Sequence, residues 1–156
     1  MKKNPSRNTH LHKGPSKLLE TINSSIDVDQ RMYKEDIEGS IAHAKMLGRQ
    51  KIISKKDEVK IVNGLKAILT NIQKGKVKFK KELEDIHMNV ESMLFQHIGV
   101  TAGKLHTARS RNDQAVTDFK LWIRNNSADL DKMLQKLQKV LTVSYTHLTL
   151  PTILRV

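Results

Sequence analysis

The chain contains no cysteine, which excludes disulfides, thiolate metal sites and a cysteine nucleophile. No apolar run approaches the roughly 20 residues that a membrane-spanning helix needs. The first 20 residues are polar and basic and lack the apolar centre of a secretory signal, so no such signal is expected. No βαβ pattern, no GxGxxG and no P-loop glycine motif is present, which leaves a nucleotide-binding α/β fold without support. Aromatic residues make up only 4% of the chain, too few for stacking on bases, and no DNA-reading motif accompanies them.

What is present is 156 residues, enough for one domain with a real core, at 38% hydrophobic and 28% charged. Lysine and arginine number 28 against 16 acids, a formal net charge of +12. Such an excess first suggests an anionic partner, a nucleic acid or a membrane surface, with steeply salt-dependent binding. Its distribution points elsewhere. Lys2, Lys3, Arg7 and Lys13 lie in residues 1–16, a flexible arm with two of the three prolines and no apolar periodicity. Lys74, Lys76, Lys78, Lys80 and Lys81 form one solvated run, and Arg155 sits at the far end. His10 and His12 are two apart in the arm, but no carboxylate or third histidine joins them, so no metal site is assigned.

Apolar spacing predicts an all-α chain. A first helix is expected over 29–47 through Met32, Ile37, Ile41, Ala44 and Leu47, with Gly48 as its stop. A second is expected over 55–73, opened by Ser54 with Asp57 in a capping-box arrangement and closed by Gly75. Its stripe reads Val59, Val62, Leu65, Leu69 and Ile72. Residues 76–80 alternate like a strand without a partner and read as a loop. A third helix is expected over 81–98 through Leu83, Ile86, Val90, Leu94 and Ile98, with Gly99 and Gly103 bracketing the next break. A long fourth helix is expected over about 113–141. Its apolar residues Val116, Phe119, Ile123, Leu130, Leu134, Leu137 and Leu141 recur near every 3.5 residues, a bundle seam.

Between the third and fourth helices lies the polar stretch Lys104-Leu105-His106-Thr107-Ala108-Arg109-Ser110-Arg111-Asn112-Asp113-Gln114. Arg109 and Arg111 offer fork-shaped donors suited to carboxylates, and a helix start adds free N–H groups and a positive dipole end. Together they suit a small carboxylate. On composition alone a solvated loop with Asp113 as N-cap is the preferred reading. His87 falls three residues after Glu84, close enough on a helix for a carboxylate to orient the imidazole. On its own it reads as a surface histidine.

The block Gly103-Lys104-Leu105-His106-Thr107-Ala108-Arg109-Ser110-Arg111-Asn112-Asp113-Gln114 resembles the signature of the argininosuccinate lyase family. Three further stretches resemble that family in its order: 23–32 (NSSIDVDQRM), 36–47 (DIEGSIAHAKML) and 84–91 (EDIHMNVE). The resemblance covers about residues 17–141 and implies the fumarase/aspartase superfamily, helical homotetramers around a central bundle. It implies a β-elimination in arginine biosynthesis, in the cytoplasm, that splits argininosuccinate into arginine and fumarate with no metal or organic cofactor. A base takes a proton beside a carboxylate, and the intermediate's charge needs donors already in place. By the resemblance Ser25, Arg111 and Asn112 contact the substrate and His87 is an active-site position. This reverses the preference for a bare capped loop. Many relatives carry glycine where this chain has Ala108. Fumarase, aspartase and adenylosuccinate lyase share the architecture, but the 105–114 block points to argininosuccinate. A lens-crystallin-like structural protein of the same fold and a basic nucleic-acid-binding module are the alternatives; neither a nucleic acid nor a membrane is expected as partner.

The resemblance also implies a chain about three times longer, with a catalytic serine loop beyond Val156, and a Trp-Gly-Gly-Arg-Phe pattern where the basic arm stands. Residues 143–156 have two readings. Tyr145-Thr146-His147-Leu148 matches four residues of a family motif in which the threonine binds substrate and the histidine takes part in proton transfer. Ser144 and Thr149 depart from that motif, and SYTHLTLPT resembles a recurring vector-derived tail, which is the preferred reading. The expected divisions are therefore an arm at 1–16, a helical lyase region at 17–112, the truncated bundle helix at 113–142 and a foreign tail at 143–156.

Overall fold

A computed structural model describes residues 22–149; the arm 1–16 with His10 and His12, and the end of the chain with Arg155, lie outside it. The chain divides after Phe119 into two compact units. No strand occurs among the described residues, in keeping with the all-α expectation.

The first unit opens with a helical turn, Ile26–Asp29, and a 3₁₀ turn, Gln30–Met32. Helix α1 follows at Tyr33–Arg49, α2 at Lys55–Gln73 and α3 at Ile86–Ile98; α4, Arg111–Ser144, begins here and runs on into the second unit. Ile37 and Leu47 of α1, Ile61 and Leu65 of α2, and Ile86 and Leu94 of α3 are fully buried. Ala102 and Leu105 join this core from the 3₁₀ run Gly99–His106. Truncating a leucine or isoleucine at its centre costs about 2–5 kcal/mol.

Local chemistry sets the ends. Ser54 is extended, and its Oγ accepts from Asp57 N at 3.1 Å and donates to the Asp57 carboxylate at 2.7 Å, so the expected cap is present. Gly75 adopts φ +66° and closes α2, the left-handed ending that glycine tolerates best. The α2 stripe is rotated from its expectation. Val59 is 46% exposed, while Ile61 and Ile68 are buried, because the neighbouring helices cover the adjoining face.

Helix α3 starts five residues later than its apolar spacing predicts. Glu84 takes φ +64°, which ends the 3₁₀ turn Lys81–Leu83, and Asp85 then caps α3 by accepting from Met88 N at 2.6 Å. Residues 76–80 form a loop as expected, held by Asn89, whose side chain accepts from Lys80 N and donates to Lys80 O. Gly48 does not stop α1. A Cβ there would lie 2.7 Å from Glu58 Cδ, so this glycine permits the close approach of α2. The N-cap of α4 is Ser110 rather than Asp113: Ser110 O accepts from Gln114 N at 3.1 Å and its Oγ from Asn112 N at 3.3 Å.

The second unit holds the rest of α4 and a π-helical turn, Tyr145–Thr149. Its seam residues Ile123, Leu130, Leu134, Leu137 and Leu141 are all exposed, between 43% and 60%. An amphipathic helix carries such a stripe to bury it against another element. Among the described residues no helix is long and apolar enough to cross a membrane.

Candidate anion-binding site

Three helices of the first unit each carry an inward polar pair one turn apart: Asp36 and Ser40 on α1, His87 and Glu91 on α3, Gln114 and Asp118 on α4. Residues four apart share a helix face, so each pair points the same way. Asp36, Ser40, His87, Glu91 and Gln114 line a small cleft with Leu105, His106, Arg109 and Arg111. Its free volume is about 20 Å³, room for a water molecule.

Arg111, the first residue of α4, is held in orientation at two points. Its Nη2 meets Glu91 Oε2 at 3.1 Å and its Nη1 donates to Gln114 Oε1 at 3.4 Å. Arg109, half-buried like Arg111, donates to Ser40 Oγ at 2.9 Å. Burial lowers the Arg109 guanidinium from its ordinary value, opposed by the charges of Asp36 and Asp118. Two guanidinium groups thus line one cleft at the positive end of a long helix, where an anion gains most.

Beneath the cleft lies a buried cluster. Asp36 Oδ1 accepts from His87 Nδ1 at 2.9 Å and from Gln114 Nε2 at 2.5 Å. His87 Nδ1 also lies 3.4 Å from Asp118 Oδ2. His87 is only 4% exposed and both aspartates are wholly buried. Burial drives the Asp36 carboxyl up, but the hydrogen bond and charge of His87, with Gln114 and Arg109, hold it below the ordinary carboxylate range. Burial lowers His87, and the Asp36 hydrogen bond and charge, then Asp85 and Asp118, carry it above the usual imidazole value. Burial and the charge of Asp36 push Asp118 up to about 7. By residue type the three could hold a cation; with its pKa raised by the carboxylates beside it, His87 is itself disposed to carry positive charge between them.

Ser25 is exposed and tied to the start of α3. Its N and that of Ile26 donate to Glu84 O at 2.9 and 3.0 Å. Its Oγ donates to Asp29 Oδ2 at 2.6 Å, while Asp29 Oδ1 accepts from Ile86 N at 3.2 Å. Burial raises the Asp29 carboxyl above its ordinary value, partly offset by the Ser25 hydrogen bond. His87, one residue after Ile86, is buried rather than on the surface, and Asp36 orients it instead of Glu84, which lies outside α3. Arg111 and His87 therefore meet at one cleft. Asn112 is exposed on the first turn of α4 and does not line it. Thr146 and His147 are exposed in the second unit, with Thr146 Oγ1 donating to Thr142 O at 3.0 Å within its own helix.

Asp36, Ser40, Glu91, Gln114 and Asp118 are polar members that sequence reasoning missed. The one available signal was the run of polar residues four apart on otherwise amphipathic helices. Ala108 has φ +54°, the backbone region that glycine favours.

Comparison with known proteins supplies the context. A family model described as a lyase matches residues 10–147. An argininosuccinate lyase of Bartonella tribocorum is 52% identical over 130 residues, covering 83% of this chain and 28% of that protein. One from Ehrlichia chaffeensis is 51% identical over 139 residues, covering 89% of this chain and 30% of that protein. One from Leuconostoc mesenteroides is 53% identical over 130 residues. The chain thus spans under a third of the length of the curated relatives it matches. With an all-α fold, the family match across most of its length and these identities, the chain belongs to the lyase family, within the fumarase/aspartase superfamily.

Proposed function

We propose that the protein to which this chain belongs is an argininosuccinate lyase, a carbon–nitrogen lyase that eliminates arginine from argininosuccinate and leaves fumarate, in arginine biosynthesis. The observation that carries this reading is Arg111, fixed by Glu91 and Gln114 at the start of α4 and facing a cleft with Arg109. A planar guanidinium at a helix N-terminus suits a substrate carboxylate and the charge that builds on it as a proton leaves the neighbouring carbon. Ser25, Arg111 and Asn112 are the proposed substrate contacts. His87 belongs to the site from beneath the cleft. Thr146 and His147 enter only as counterparts of the family's substrate-binding threonine and proton-transfer histidine. Sequencing the source DNA past the codon for Leu141 separates that assignment from a foreign tail at 143–156.

The cleft of this chain alone is too small to enclose argininosuccinate. The exposed seam on α4 fits the proposal that the site is completed in a cytoplasmic homotetramer built around a helical bundle, with a small molecule rather than a nucleic acid or membrane as partner. The isolated chain, without the family's serine loop, is expected to release no fumarate from argininosuccinate. The positive test is exchange of this segment into a complete relative, where fumarate release supports the reading and an assembled but silent enzyme refutes it.

A further inference from the structure

Three oxygens of the buried cluster have no hydrogen-bond partner: Asp36 Oδ2, Asp118 Oδ1 and Asp118 Oδ2. Both residues are fully buried, and Asp118 does not line the cleft, so cleft water does not serve it. The backbone of α1 closes over it: a Cβ on Gly39 would sit 3.1 Å from Asp118 Oδ1. One atom from each of Asp36, His87 and Asp118 lies within 4.8 Å of the others. Orphaned carboxylate oxygens are costly in such a place, and two buried carboxylates with one imidazolium leave a net negative charge.

We infer that Asp118 and Asp36 share a proton, held on Asp118 and donated to Asp36 Oδ2, and that Asp118 is thereby a positioning residue that fixes Asp36, Gln114 and, through Gln114, Arg111. The proton gives one orphaned oxygen a donor and makes another a donor itself. With Asp36 ionised, His87 protonated and Asp118 neutral, the cluster carries no net charge. Asp36 Oδ1 is then left to His87 and Gln114, and Gln114 Oε1 to Arg111. The charged groups around Asp118 are Asp36 from α1, His87 from α3 and Arg109 from the turn before α4; Asp85, Glu91 and Arg111 act on those in turn. The raised position of Asp118, near neutrality, agrees with a retained proton. The arrangement holds whatever anion the cleft takes.

The sign of the pH effect follows from linkage. A carboxyl whose folded pKa is raised adds stability that is complete below its unfolded pKa and is lost as pH rises through the folded one. In Asp118→Asn the side-chain amide donates to Asp36 Oδ2 at every pH and mimics the protonated acid; in Asp118→Ala the donor is gone. The test uses the whole 156-residue chain, with urea unfolding at about pH 5.5 and 8.5 and carbon NMR of the aspartate carboxyls. Each unit of raised pKa is a factor of ten in the folded-to-unfolded ratio. Asp118→Asn is therefore expected to exceed the native chain by about tenfold or more in that ratio at the higher pH, and Asp118→Ala to fall below it at both. The Asp118 carboxyl carbon should titrate near neutrality while that of Asp36 stays ionised. The Gln114 side-chain amide should resist exchange in the native chain and Asp118→Asn but not in Asp118→Ala. Titration of both aspartates in the ordinary acid range overturns the inference. So does Mn²⁺ or Zn²⁺ stabilising the native chain but not Asp118→Asn, which would make the cluster a metal site. An unchanged Gln114 amide in a folded Asp118→Ala removes the positioning role.

Discussion

Gln114 Nε2 donates to Asp36 Oδ1 at 2.5 Å, joining the first turn of α4 to α1 across 78 positions of sequence. The same amide offers its oxygen to Arg111, so one neutral side chain connects a buried carboxylate to an anion-binding guanidinium. Gln114→Ala removes a donor from buried Asp36 and an acceptor from Arg111. A loss of about 1–3 kcal/mol is expected from urea unfolding. Gln114→Glu, which sets a second carboxylate against Asp36, should lose more, and the excess should shrink as the pH is lowered.

His87 Nδ1 and Asp36 Oδ1 lie 2.9 Å apart in a buried pair that is ionic while the imidazole is protonated. His87→Ala leaves Asp36 buried without the imidazole that touches it and should cost about 3–5 kcal/mol near pH 6. The pH dependence has two limbs. His87 is raised when folded, so its contribution is whole below the unfolded value of 6.5 and is lost as pH rises through the folded value. Asp36 is lowered, so its contribution is present above its unfolded value of 3.8 and is lost as pH falls through the folded one. Urea midpoints across the pH range should fall on both sides for the native chain. In a folded His87→Ala the alkaline limb that His87 supplies should vanish.

Ala108 holds φ +54° in the turn before α4. A residue with a Cβ costs about 1–2 kcal/mol in that region, and glycine avoids most of it while losing some chain entropy on folding. Ala108→Gly should therefore raise stability by up to about 1 kcal/mol, read as an upward shift in melting temperature. Ala108→Val, β-branched, should lower it.

Ser54 caps α2 by accepting from Asp57 N and donating to the Asp57 carboxylate. Ser54→Ala should cost about 1 kcal/mol, and Ser54→Asn, another good cap, much less. Thermal unfolding of the three chains checks the order.

Much of the fold was legible because its helices carry strong local signals. Helix α2 lies where Ser54 and Gly75 place it, and Ile86, Val90, Leu94 and Ile98 of α3 are buried as their spacing predicts. The errors came where a local conformation outranked periodicity. Leu83 is in phase with α3, yet the positive φ of Glu84 and the cap at Asp85 start the helix later. Arg111 was legible as a candidate because its donors and its place at a helix start suit a carboxylate, but composition alone favoured a solvated loop and the family resemblance was needed to reverse that. Asp36 and Asp118 were not, since each is an ordinary polar residue on its own helix whose meaning appears only when three helices pack; His87 was named by the family resemblance, but alone it read as a surface histidine. The stretches around Asp36 and His87 carried the family resemblance without revealing that contact.

The measurement that bears most directly on the proposed activity is fumarate release, followed by its ultraviolet absorbance, from the Bartonella tribocorum argininosuccinate lyase with its matching segment replaced by residues 22–141 of this chain. The replaced enzyme should split argininosuccinate, and Arg111→Gln within the inserted segment should abolish the reaction while leaving the assembly intact. An enzyme that assembles as the relative does yet releases no fumarate, or one that keeps its full rate with Arg111→Gln, would contradict the account.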